Sequence, residues 1–207
     1  MPHLSNTGST LADWLKAREK LHKFFTGETI ILRDIFVFTD EDLARTDIMP
    51  SFRPIGTTNR TAVRWKKRLG VEVFEEKDVI QYNQSRYGNA PELYFINRSE
   101  RPDPNTLGEN AKTPDGLVAL QKKMPQGQSW LGLYGWCDAD SLYFAITGKH
   151  LDGGIWTWFP NDRLGSGGVT SGGWDPDAGR VGLCWYCSVY RSGCFGARLA
   201  RRVPLKS

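Results

Sequence analysis

From residue 11 to residue 25 the apolar positions recur at helical spacing. Leu11, Trp14, Leu15, Arg18, Leu21, His22 and Phe25 share one stripe, and Lys16, Glu19, Lys20 and Lys23 lie off it. The pattern predicts an amphipathic helix with Thr10 as N-cap and Gly27 as stop. Residues 29–38 read as a buried strand. Residues 39–44 read as a short helix with a threonine cap and an acidic first turn that complements the helix dipole. Pro50, Pro54 and Gly56 make residues 47–58 a loop. Residues 59–69 read as a helix ended by Gly70. Strands are expected near 71–74, 79–82 and 93–96. Pro102, Pro104 and Pro114 mark 97–116 as a boundary or long surface loop, with a short helix at 116–123.

Beyond Met124 the pattern shifts to strands, at 130–136, 142–146, 155–159, 181–190 and 195–203. The predicted fold class is α+β: early helices with a small sheet, then a strand-rich, loop-rich C-terminal half. Two portions are expected. Residues 1–110 form an α+β portion for mounting or oligomerisation, and residues 111–207 form an aromatic, glycine-rich binding portion. One continuous domain is the alternative. No internal repeat or low-complexity tract is present.

Composition sharpens the C-terminal half. Six of the eight tryptophans and all four cysteines fall between Trp130 and Cys194, among glycine pairs such as Gly153-Gly154, Gly167-Gly168 and Gly172-Gly173. Flat rings supply contact area and glycines supply tight turns, which suits a loop-rich binding surface. The 207 residues are 40% apolar and 24% charged, as in ordinary globular chains. No stretch approaches the ~20 apolar residues of a membrane span, so no membrane partner is expected. Residues 1–6 lack a basic and apolar leader, which points to a cytoplasmic product or one released with a virion. The net charge of +4 is mild. Arg180, Arg191, Arg198, Arg201, Arg202 and Lys206 stand in a tail without acids, which reads as a solvated face or as a polyanion patch.

Candidate chemistry is sparse. Cys184 and Cys187 form a C-x-x-C, with Cys194 and Cys137 further off; zinc thiolates, disulfides and packed thiols are all open. A regular strand would turn 184 and 187 to opposite faces, against a chelate. Asp138, Asp140, Asp152, Asp162, Asp175 and Asp177 are either calcium ligands or turn formers, at no EF-hand spacing. No metal or cofactor is expected. His150 could pair with Cys137 as a cysteine-hydrolase dyad, with Gln126 or Gln128 as oxyanion donor. His22 reads as a packed residue. Arg60, Arg64, Lys66, Lys67 and Arg68 make the 59–69 helix basic, and Thr61, Arg64 and Lys67 would share a nucleic-acid face. The 47–58 connection is too long for a helix-turn-helix, and a solvated helix explains the same residues. There is no Walker loop, dinucleotide fingerprint, H-E-x-x-H or G-x-S-x-G.

Three segments carry a resemblance. Ile155-Trp156-Thr157-Trp158 is similar to a Trp-x-Trp strand. Ser171-Gly172-Gly173-Trp174-Asp175 precedes an aromatic segment, and Phe195-Gly196-Ala197-Arg198-Leu199-Ala200-Arg201 ends the pattern. This part of the chain resembles the C-type-lectin-like fold of formylglycine-generating-enzyme-like proteins and of retroelement-diversified phage receptor-binding proteins. The serine before Trp174 is absent, Ala197 stands where the family has Phe, and the cysteines do not reproduce the enzymes' reactive arrangement. The resemblance therefore implies the fold and a ligand-binding surface, not the oxidase activity. It implies that Trp174, Asp175, Trp185, Tyr186, Ser188, Tyr190 and Arg191 lie on or near the recognition face, and a phage or mobile-element origin would fit. The leading expectation is a non-enzymatic protein that binds a protein or glycan ligand, with homo-oligomerisation open. The alternatives are a nucleic-acid-binding protein and a cysteine-dependent enzyme using Cys137 and His150.

Overall fold

The computed structural model describes residues 10–76, 79, 90–98, 113–164, 167–190 and 194–207. The chain is α+β, with two sheets among the described residues.

Helix α1 (Leu11–Thr26) buries all seven residues of the predicted stripe, Arg18 and His22 included. Thr10 and Asp13 close a capping box, and Gly27 ends the helix in the left-handed region at φ 81°. The expected strand at 29–38 is instead a single helical turn, α2 (Leu32–Ile35). Leu32 and Phe36 enter the core fully, with Ile35 packed against it, while Ile31 and Val37 stay exposed, so helical spacing wins over alternation. Glu19 accepts the Leu32 N–H at 2.7 Å and fixes its start. Helix α3 (Asp40–Ala44) follows, capped by Thr39 as expected.

The expected loop at 47–58 contains strand β1 (Ile48–Arg53), buried throughout. Pro50 is tolerated because β1 is an edge strand. Helix α4 (Asn59–Arg68) and strands β2 (Val73–Glu75) and β3 (Glu92–Asn97) match expectation. The strand expected at 79–82 lies outside the described residues except for buried Val79, which sits in a turn. Helix α5 (Pro114–Gln121) starts from a Thr113 cap, and strand β4 (Gln128–Trp130) follows it.

The largest departure comes next. The strands expected at 130–136 and 142–146 give way to β4 and one helix, α6 (Leu133–Thr147). Every residue from Leu133 to Tyr143 is buried except Gly135, so the helix is enclosed on nearly all sides, Asp138 and Asp140 included, and shows no amphipathic period. Its first turn is capped from afar: the Leu133 N–H donates to Asp162 Oδ2 at 2.6 Å, across 29 positions.

Strands β5 (Trp156–Arg163), β6 (Gly168–Asp175), β7 (Arg180–Cys187), β8 (Phe195–Gly196) and β9 (Leu199–Arg202) complete the fold. The first sheet runs β1-β3-β9-β4 and the second β2-β7-β6-β5-β8. Each sheet thus draws strands from both sides of residue 110. Between β5 and β6 the Leu164 N–H donates to the Gly168 carbonyl at 2.7 Å, and Gly168 opens β6. Its glycines fit the rings beside them: a Cβ on Gly168 would lie 2.7 Å from the Trp185 ring, and one on Gly172 would lie 2.9 Å from Leu183. On β7, Gly182 similarly seats the Trp156 ring. The main core joins α1, α4, α6 and one face of the second sheet with Met49, Ile96 and Ala200 of the first, and within it the Trp136 and Phe159 rings pack 5.8 Å apart. Burying each such side chain contributes roughly 1.5–3 kcal/mol.

Candidate functional site

Three acids expected in turns are core anchors, each against a buried cation. Asp138 on α6 accepts from Arg18 Nε at 3.1 Å and Nη2 at 2.7 Å, and from the Phe52 N–H at 2.8 Å. Asp152, just past α6, sits at φ 58°, a conformation Asp adopts more readily than most residues. Its carboxylate accepts from the Trp136 indole at 2.6 Å, from Thr157 and from Arg198. Asp140 accepts from Lys66 Nζ and from the Leu151 N–H at 2.6 Å. Burial alone would push the Asp140 carboxyl up; Lys66 and His150 outweigh it and hold the group below its ordinary value. Asp175 does form a turn, accepting from the Asp177 and Ala178 N–H groups at 3.1 Å. Among the described residues no cluster of His, Cys, Asp and Glu could hold a metal ion.

His150 stands at the rim of this buried network. Its Nδ1 lies 2.9 Å from Asp140 Oδ2, the oxygen that Lys66 also holds. A carboxylate only accepts, so Nδ1 carries a proton, and whenever the ring is neutral Nε2 is left as an acceptor. The ring is wedged in a stack. Phe144 lies on one side at 4.5 Å and 15°, and Trp174 on the other at 3.9 Å and 14°. The His150 side chain is 5% exposed, and its hydrogen bond to the described residues is made through Nδ1. These rings wall a cleft of about 420 Å³, also bordered by Val71, Glu72 and Lys149. The turn at Gly148, at φ 72°, ends α6 and brings His150 back over Asp140.

The expected recognition residues do not share one face. Along β7 the side chains alternate. Val181 and Leu183 enter the main core, and Trp185 continues that side until it clears the core and becomes 38% exposed. Trp174 pairs with Val181 and lies on this same side, at the opposite end of the strand pair. Tyr186 faces the other way, edge-on to Trp158 and stacked on Tyr190 at 4.7 Å. Tyr190 is 38% exposed. Ser188 is half-buried, and its carbonyl accepts the Asp115 N–H at 3.3 Å. Arg191 lies outside the described residues. Trp130, Trp136 and Trp158 are sealed inside.

The alternative sets are dispersed. Lys66, expected on a basic surface, is wholly buried against Asp140 because its helix packs on α6. Lys67 pairs with Glu75, and Arg68 donates to the Phe24 and Phe25 carbonyls. Arg60 and Arg64 remain exposed. Cys137 is wholly buried, and desolvation pushes its thiol up to about 12, which opposes thiolate formation. The His150 ring meets Asp140 in the place a dyad would give to Cys137. No disulfide joins the four cysteines, and Cys184 and Cys187 point to opposite faces of a regular strand. Only Cys137 is the packed thiol expected; Cys187 and Cys194 are exposed at the end of β7 and the start of β8.

The Lys66–Asp140–His150 network escapes sequence reading because its members come from α4, α6 and the turn after it, with no local spacing to join them. The chain matches no protein-family model, no curated protein and no solved structure.

Proposed function

We propose that this is a non-enzymatic recognition protein that grips a protein or glycan ligand with the ring-bearing end of β7. The carrying observation is the change in burial along that strand and the turn just past it. Residues 181–183 are buried, whereas Trp185, Val189 and Tyr190 are exposed, with Val189 at 71%. Tryptophan and tyrosine are the residue types that dominate binding hot spots, because they offer large contact area with few rotors to freeze. The Tyr186–Tyr190 stack and the packing of Trp185 over Gly168 hold these rings in place before any ligand arrives. The C-type-lectin-like resemblance supports the same reading, since its three segments fall on β5, on β6 and on β8 with β9.

The test is a glycan and peptide array probed with the wild-type chain and with a Trp185→Ala/Tyr190→Ala variant of unchanged circular dichroism. Ligands retained by the wild type should be lost by the variant. Retention of every ligand by a folded variant would remove the β7 end from the binding surface.

A further inference from the structure

We infer that the cleft walled by Phe144, His150 and Trp174 is a binding site for a saccharide ring. The inference deepens the recognition reading by giving Trp174 a ligand class, and it rests on that reading only in treating the chain as a binder.

The cleft has the properties of a small-molecule site. Its volume of about 420 Å³ falls in the ordinary range for such pockets. Its polar element is preformed: His150 cannot turn, because two rings clamp it and a buried carboxylate holds Nδ1. That carboxylate is itself fixed by Lys66 and by the Leu151 N–H. Little freedom is left to lose when a ligand binds. Among the described residues only the Nδ1 of this ring is engaged, by Asp140, which leaves Nε2 as an acceptor whenever the ring is neutral.

The lining chooses among ligand classes. Glu72 and Lys149 border the same cleft, so it offers neither a purely cationic nor a purely anionic surface. A simple anion would meet Glu72, and a simple cation would meet Lys149. A hydroxyl both donates and accepts, and so fits a carboxylate, an ammonium and an imidazole acceptor alike. Phe144, Trp174 and Val71 supply apolar walls. A pyranose combines these demands, with one face of C–H groups and a rim of hydroxyls. A hydroxyl donating to Nε2 would complete the hydrogen bonding of the imidazole.

The experiment uses the methyl glycosides of glucose, galactose, mannose and N-acetylglucosamine, followed by saturation-transfer NMR and by the imidazole nitrogen resonances. At least one should bind with a Kd in the range of about 1 mM and shift the His150 Nε2 resonance. His150→Phe keeps a ring between Phe144 and Trp174 but removes the acceptor; Glu72→Ala alters an exposed side chain and keeps the test readable should the first variant unfold. Each should weaken binding by about tenfold or more. Trp185→Ala/Tyr190→Ala should leave it unchanged. The inference is overturned if no glycoside binds at about 10 mM, if Glu72→Ala binds as the wild type does, or if inorganic phosphate or acetate binds better. Binding lost with Trp185→Ala/Tyr190→Ala but kept by His150→Phe also overturns it, while leaving the β7 surface standing. Glycoside binding at the cleft with no array ligand lost at β7 would do the reverse.

Discussion

Lys66 and Asp140 face each other with both side chains fully excluded from solvent, and the ammonium also lies 5.3 Å from the centre of the Trp136 ring. The pair joins α4 to α6 and orients His150 through the shared carboxylate oxygen. Removing only the cation strands a charge in the interior. Lys66→Met should lower unfolding free energy by about 3–5 kcal/mol. The double variant Lys66→Met/Asp140→Leu should recover much of that loss, because no isolated ion remains. Urea denaturation of the single and double variants measures both; equal stability of Lys66→Met and wild type would deny the pair its structural role.

His22 makes a second prediction. The ring is buried edge-on to Phe52 and Trp65, with neither nitrogen hydrogen-bonded. Burial, then the neighbouring Arg18 charge, lowers its pKa from the ordinary 6.5. The unfolded chain therefore takes up the proton first as pH falls. The stability tied to this group is complete above the ordinary histidine value and declines as pH drops from there toward the lowered folded value. His22→Phe should remove this part of the decline and fold at least as well at pH 5. Chemical denaturation at pH 5 and pH 7.5 decides it; an unchanged pH dependence in the variant would exclude His22 as its source.

The cysteines should react in order of access. Cys187 and Cys194 are exposed, and native alkylation should label them first. Cys184 is half-buried and its thiol is raised to about 11 by desolvation and then by Glu76, so it should lag. Cys137 should stay unlabelled until the chain unfolds. Peptide mass spectrometry after timed iodoacetamide exposure reads all four. Prompt native labelling of Cys137 would contradict its burial in α6.

These outcomes depend on parts of the molecule that differ in how openly the sequence displays them. Helix α1 was legible to the residue: its stripe includes Arg18 and His22, and both are buried, because an isolated helical period reports one buried face. Helix α6 was not, because a helix enclosed on nearly every side has no polar face to set the period, and its cap comes from Asp162 on β5. Strand β6 was hidden for another reason. Glycine breaks strands in isolation, and Gly168 and Gly172 make sense only beside Trp185, Leu183 and Phe159. At the candidate site, Trp174 and His150 both stand out in the sequence as residue types. Their stacking, and the choice of Asp140 over Cys137 as the partner of His150, depend on where Gly148 turns the chain after α6.

Strand β9 lies between β3 and β4 in the first sheet, and the segment just past it bonds back to α2 and its flank through Phe36, Val37 and Ile35. During translation, then, β3 emerges long before the second neighbour that completes its hydrogen bonding. A nascent chain halted before Leu199 would carry β3 and β4 with open edges and Asp152 without Arg198 or with it only newly made. Completion of the first sheet must wait until β9 has emerged, and until then the open edges of β3 and β4 are a point of exposure to chaperones and to self-association.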